Sequence, residues 1–299
     1  MARINLHGLG IALVTPFRSD KSIDFDSLGR LLDYQLQNKT DYLVVLGTTA
    51  ETPTLSLGEQ EAVKRFVVEK VNGRVPLVLG CGGNNTAAIT ERLRNDDFSG
   101  FDAILSVTPY YNKPSQDGLY AHYSAVAEAS PLPVILYNVP GRTGVNLQPD
   151  TTLRLANDLP NVIAIKEASG NIAQMNKIIM HKPDDFNVIS GDDGVTFPLI
   201  TLGAVGVISV IGNAFPREFG NMVRLALAGR YDEARVIHHS YTDLFALLTA
   251  DGNPAGVKCV LSLMGMIENE LRLPLVPTRA STRQSISEVL HSLGLNPKR

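Results

Sequence analysis

Eight apolar, often β-branched runs recur along this chain and alternate with stretches of helical periodicity. No other feature limits its possible folds so narrowly. The runs are GIALVTP (10–16), DYLVVLGTT (41–49), PLVLGCG (76–82), AILSVTPYY (103–111), PVILYNVP (133–140), VIAIKEAS (162–169), NVIS (187–190) and VGVISVIG (205–212). Each is nearly continuous in hydrophobicity, as expected of parallel strands covered on both faces. Between them, Ser56 and Glu59 stand at capping-box spacing ahead of Val63, Phe66, Val67 and Val71, which share one helical face. Leu28, Leu31, Leu32 and Leu36 share another. Strands alternating with helices mean βα units, and right-handed crossovers leave few ways to arrange them.

Eight units within residues 1–225 fit an α/β fold of the closed (β/α)8 TIM-barrel type, whose usual size is ~250 residues. An open doubly wound sheet is the second choice, because no glycine-rich first turn is present. Two further apolar-periodic stretches, at 229–249 and 254–267, predict that residues 226–299 form a C-terminal helical appendage. A chain that is 44% hydrophobic can bury a substantial core without staples. Its net charge of −3 includes no basic excess, so nucleic acid is not an expected partner. Nor is a membrane, since no segment approaches the ~20 apolar residues a span requires. Cys81 and Cys259 are too few and too distant to suggest a disulfide framework, which fits a cytoplasmic setting. The six histidines show no metal-ligand spacing.

Barrel enzymes build their sites at the carboxyl ends of the strands. Those ends here carry Thr15, Thr48, Thr49, Glu51, Asn84, Tyr110, Tyr111, Tyr137, Asn138, Lys166, Glu167 and Asp192, whereas the opposite ends carry mostly turn residues. Lys166 is the most telling of them, because it closes an apolar run. Desolvation disfavours its ammonium, and a neutral amine can attack a carbonyl to form a Schiff base. The competing reading is an ion pair with a neighbouring carboxylate. Tyr137, on the adjacent run, could shuttle the protons that imine formation needs, or could merely pack its ring. Thr48 and Thr49 offer hydroxyls and N–H groups to a substrate carboxylate, or else end a strand in a turn. Arg142 is a rim cation suited to a carboxylate, or a solvated loop residue. Cys81 reads as a buried, inert thiol.

Taken together, VLGTTAETPTLS, TPYYNKPSQDGLYAHY, LYNVPGRTG, IAIKEASGN, SGDD and GVISV stand in the order and spacing of the dihydrodipicolinate synthase family. That family lies within the N-acetylneuraminate lyase and class I pyruvate aldolase superfamily, and the resemblance covers essentially the whole chain. It implies a lyase that joins pyruvate to L-aspartate 4-semialdehyde through a lysine Schiff base. The product would be 4-hydroxy-tetrahydrodipicolinate, at the first committed step of lysine and diaminopimelate biosynthesis. Lys166 then forms the imine and Tyr137 acts as general acid and base. Thr48 links Tyr137 to Tyr111, which in the family crosses a dimer interface into the neighbour's site. Thr49, assisted by Thr48, holds the pyruvate carboxylate, and Arg142 holds that of the semialdehyde. Gly191 and Ile208 present backbone carbonyls to the imine and nearby substrate atoms. Neither metal nor organic cofactor is implied, and the expected assembly is a homotetramer built as a dimer of dimers.

Retro-aldol cleavage of a 2-keto-3-deoxy sugar acid or sialic acid is the alternative within the superfamily. N-acetylneuraminate lyases lack an arginine like Arg142, so the intact GRTG favours an acceptor with its own carboxylate. A catalytically silent barrel is disfavoured by the presence of Lys166, Tyr137, Thr48 and Tyr111 together. Ala50 and Gly141 replace a glycine and a serine common in the family, without removing a reacting group. Ala88, Leu57 and Gln60 depart from the pattern that binds lysine as a feedback inhibitor, and an unpaired buried ammonium is costly. Weak lysine inhibition is therefore expected, and a rate assay showing strong inhibition at low lysine would contradict it.

Overall fold

The computed structural model describes residues 4–295; residues 1–3 lie outside them, as do 296–299, the end of the expected C-terminal segment. Parallel strands close into a barrel in chain order: β1 Gly8–Ala12, β2 Tyr42–Val45, β3 Leu77–Gly80, β4 Ala103–Val107, β5 Val134–Asn138, β6 Val162–Glu167, β7 Asn187–Ser190 and β8 Gly206–Ser209. Pairing of β8 with β1 completes the ring, so the open-sheet alternative is excluded. Each apolar run read from the sequence overlaps one strand, and most overrun it, their carboxyl ends becoming loops at the barrel mouth. The first run differs at its start as well, since β1 begins two residues earlier, at Gly8.

Helices follow the strands: α1 Phe25–Gln37, α2 Leu57–Val71, α3 Thr86–Asn95, α4 Gln116–Ala129, α5 Pro140–Thr143 and α6 Pro149–Asp158. Next come α7 Ile172–His181, α8 Asp193–Thr201 and α9 Pro216–Leu227. Asp24 caps α1 by accepting from the Ser27 N–H, and both bonds of the Ser56–Glu59 capping box form at α2. The C-terminal helices are α10 Tyr231–Ser240, α11 Thr242–Ala250, α12 Ala255–Leu263 and α13 Ala280–Ser292. The last is not signalled by apolar periodicity, because only two of its three buried residues, Ile286 and Leu290, are apolar. Among the described residues, no helix is long and apolar enough to cross a membrane.

The apolar residues divide into two main cores. Outward-facing strand residues such as Val134, Leu136 and Ile165 pack beneath the helices. Inward-facing residues such as Val44, Leu105, Ile135 and Ile189 fill the barrel itself. Tyr42 lies wholly inside, and a Cβ on Gly10 would fall 2.2 Å from its ring, so β1 has glycine where the ring passes.

One irregularity sets the phase of the whole site. The register of β6 against β5 shifts after its first pair: Val162 stands opposite Val134, but Ala164 stands opposite Ile135. Ile163 is the extra residue of a β-bulge, and a bulge changes which face the following residues present. Val162 belongs to the outer core, whereas Ala164 faces inward. Strict alternation from Val162 would have turned residue 166 outward. The bulge instead brings Lys166 inward, in register with Tyr137.

Candidate active site

Lys166 and Tyr137 meet at the mouth, both buried, with the Lys166 Nζ 4.3 Å from the centroid of the Tyr137 ring. A Cβ on Gly191 would lie 3.1 Å from Lys166 Cε and 2.7 Å from Ala168 Cβ, so the glycine after β7 leaves the lysine its space. Among the described residues, no carboxylate forms an ion pair with Lys166.

The adjacent carboxylate, Glu167, points the other way. It accepts from Asn138 Nδ2 at 3.2 Å, Gln174 Nε2 at 2.8 Å and the Ser169 N–H at 2.8 Å. Burial pushes its carboxyl above the usual range, against the pull of these donors. Asn138 also accepts the Leu147 N–H at 2.9 Å, which ties the segment after Arg142 to the strand carrying Tyr137. Lys166 therefore has no structural ion pair among the described residues, and Glu167 is satisfied by neutral groups.

Two cavity lobes, of 370 Å3 and 530 Å3, open from this pair. Thr48, Thr49, Tyr137, Arg142, Lys166 and Asn253 line both, and Gly191 lines the smaller. Arg142 is exposed on the short helix α5 and makes no ion pair among the described residues, so its guanidinium is free for an anion. Cys81 lines the larger lobe as a buried free thiol that burial keeps above its ordinary pKa.

Thr48–Ala50 form a single 3-10 turn after β2, closed by the Ala50 N–H to the Gly47 carbonyl at 3.2 Å. Alanine needs no unusual angle there. The left-handed conformation falls on Glu51, at φ 56° and ψ 33°. Such a residue persists only when its surroundings fix it. Lys258 does so, forming a fully buried ion pair with Glu51, and the Arg272 N–H donates to the second carboxylate oxygen at 3.0 Å. Lys258 also donates to the Glu270 carbonyl at 2.9 Å and sits 4.1 Å from the Phe17 ring centroid. Burial draws its ammonium down to about 8, against the opposing pull of Glu51.

Two expected site residues do not join the cavity within this chain. Tyr111 is 87% exposed in a left-handed conformation at φ 74°, while Tyr110 lines the larger lobe. The Ile208 side chain belongs to the inner core, and Val210, two residues on, lines the smaller lobe. Sequence reasoning passed over Lys258, Arg272 and Asn253. Lys258 was detectable by the sign that exposed Lys166, a lysine set into an apolar run.

A family model described as the dihydrodipicolinate synthetase family matches residues 5–293. The 4-hydroxy-tetrahydrodipicolinate synthase of Parabacteroides distasonis is 66% identical over 295 residues, covering 99% of each chain. That of Bacillus subtilis is 44% identical over 290 residues, 97% of this chain and 100% of its own. Among solved structures, the dihydrodipicolinate synthase of Aquifex aeolicus superposes with a TM-score of 0.94 at 40% identity, covering 98% of this chain and 100% of the other. A chloride-inhibited dihydrodipicolinate synthase from Acinetobacter baumannii, complexed with pyruvate, superposes with a TM-score of 0.94 at 39% identity, covering 97% and 99%.

Proposed function

Since the chain belongs to the dihydrodipicolinate synthetase family, we propose that its barrel mouth carries out the synthase reaction with the groups just described. The reaction is the condensation of pyruvate with L-aspartate 4-semialdehyde to 4-hydroxy-tetrahydrodipicolinate, the committing step of lysine and diaminopimelate biosynthesis. The observation that carries the reading is Lys166, a buried amine beside a tyrosine and with no carboxylate partner among the described residues.

The Lys166 amine adds to the keto carbon of pyruvate. Tyr137 protonates the departing hydroxyl of the carbinolamine, water leaves, and an imine remains. The imine withdraws electrons, so a methyl proton departs and an enamine forms. Its terminal carbon attacks the aldehyde, and the new alkoxide takes a proton. The amino group of the former semialdehyde then adds to the imine carbon and displaces Lys166, closing the ring. Thr49, assisted by Thr48, holds the pyruvate carboxylate, while Gly191 and Ile208 contribute backbone carbonyls. Arg142 receives the semialdehyde carboxylate and excludes acceptors that lack one.

Thr48 passes protons onward to Tyr111 of a neighbouring copy. A phenol displayed to solvent outside its own chain's cavity suits that role. The reading therefore includes a tight dimer as the working unit, paired into a homotetramer, in the cytoplasm. Borohydride reduction tests the central step, because it fixes an imine as a stable secondary amine. Protein incubated with pyruvate and borohydride is expected to gain the mass of one reduced pyruvate, lose turnover, and show neither change as Lys166→Ala. A mass gain that persists in that variant would remove Lys166 from the reaction.

A further inference from the structure

A carboxylate can only accept hydrogen bonds, so every hydroxyl that meets it must donate. A threonine hydroxyl has one hydrogen and two lone pairs, and its neighbours decide where the hydrogen points. Thr49 has one such neighbour from the far end of the sequence. Asn253 Nδ2 donates to Thr49 Oγ1 at 3.0 Å, both side chains are buried, and both residues line the two lobes that hold Lys166. The donation occupies one acceptor position of Oγ1 and leaves its hydrogen to be presented elsewhere.

We infer that Asn253 is a positioning residue for the keto-acid carboxylate: its amide fixes the Thr49 hydroxyl as a donor toward the substrate. The inference rests on the assignment of Thr49 to that carboxylate made above. Asn253 is well placed for the task, since it occupies the turn between α11 and α12 and that turn is anchored from both sides. Asp251 accepts from Arg279 through the backbone N–H at 3.0 Å and through Nε at 2.6 Å. Lys258, at the next turn of chain, grips Glu51 two residues beyond Thr49.

The orientation of the amide matters as much as its presence. Asn253 Oδ1 is buried and has no partner among the described residues, an arrangement that costs ~1–3 kcal/mol in general. Turned over, Oδ1 would take the Thr49 hydrogen and leave only oxygen lone pairs facing the substrate carboxylate. The observed orientation satisfies the substrate's need at the expense of the asparagine's own oxygen.

Asn253→Asp and Asn253→Ala separate this role from mere packing. Aspartate must accept from Thr49 and so reverses the hydroxyl, whereas alanine only frees it. The readout is the pyruvate concentration giving half-maximal borohydride trapping, with thermal melting as the check on folding. Asn253→Asp is expected to raise that concentration about tenfold or more, the scale of a lost hydrogen bond to a charged group. Asn253→Ala should raise it less, and maximal trapping should survive in both. On a Thr49→Val background there is no hydroxyl to orient, so the added effect of Asn253→Asp should shrink.

An aspartate variant milder than the alanine variant would mean that Thr49 donates to Asn253 in the native protein, and would overturn the inference. An equal aspartate effect with and without the Thr49 hydroxyl would reduce it to charge repulsion, with the same result. If Asn253→Asp does not fold, the cycle with Asn253→Ala decides, since its effect must also shrink on the valine background. Thr49→Val alone keeps the two readings distinguishable. No shift there removes Thr49 from the carboxylate, whereas a shift there without one from Asn253 defeats only the present inference.

Discussion

Lys166 and Lys258 are both lysines set into apolar runs, but their surroundings differ. Lys258 is pinned by the Glu51 carboxylate, the Glu270 carbonyl and the Phe17 ring, which leaves its nitrogen no lone pair to offer a substrate. Lys166 faces a tyrosine ring and an open cavity, and forms no ion pair with a carboxylate among the described residues. Burial in an apolar run therefore identifies a constrained lysine, and only its partners identify a reactive one. The same criterion bears on Arg142, whose guanidinium lines the cavity and has no carboxylate partner among the described residues. Arg142→Ala should lower kcat/KM for aspartate semialdehyde by about 30-fold, equivalent to the ~2 kcal/mol of a charged hydrogen-bonded pair. Pyruvate trapping by Lys166 should be unaffected, since it precedes arrival of the aldehyde. Steady-state rates and trapping on the same preparation check both halves, and loss of trapping would show that Arg142 serves pyruvate instead.

At the scale of elements, the site depends on two devices that alternation and helical periodicity do not reveal. The eight runs, the α2 capping box and the α1 face were legible because hydrophobic period and cap chemistry are local properties of the chain. The bulge at Ile163 was not, because a register shift exists only relative to the neighbouring strand. It nonetheless decides whether Lys166 faces the barrel or the helices. The second device is the buried Glu51–Lys258 pair, which joins the turn bearing Thr48 and Thr49 to α12 across 207 positions of sequence. Removing one member of a buried pair leaves an uncompensated charge and typically costs ~3–5 kcal/mol. Lys258→Met should destabilise the fold on that scale and weaken pyruvate binding. Adding Glu51→Gln should recover part of the stability by neutralising the stranded carboxylate. Denaturant unfolding of the single and double variants measures this, and a double variant no more stable than Lys258→Met would show that the pair's role is not electrostatic.

Across the whole molecule, two buried groups shape the response to acid, one remote from the cavity and one, Asp193, in the lining of its smaller lobe. His122, on α4, is buried, and its Nδ1 lies 2.8 Å from Thr86 Oγ1 on α3 while its Nε2 has no partner among the described residues. Burial holds its pKa down at about 4, from an ordinary 6.5. A histidine depressed in the folded state contributes stability that is fully present above pH 6.5 and is lost as pH falls toward 4. The shift corresponds to on the order of 3 kcal/mol. Asp193 acts in the opposite direction. Burial raises it to about 6, against backbone donors at Ile211 and Val210, so its proton uptake in the folded state relieves a penalty as pH falls below that value. These two buried groups pull in opposite directions, one in the α3–α4 layer and one where α8 meets the end of β8. His122→Gln removes one side of that balance while keeping a polar, uncharged group. Its stability should fall less than the native protein's between pH 6.5 and 4.5, with the two curves converging upward of pH 6.5 apart from a constant packing offset. Unfolding free energies measured at intervals across that range provide the comparison, and parallel curves throughout would show that His122 does not take up its proton on unfolding.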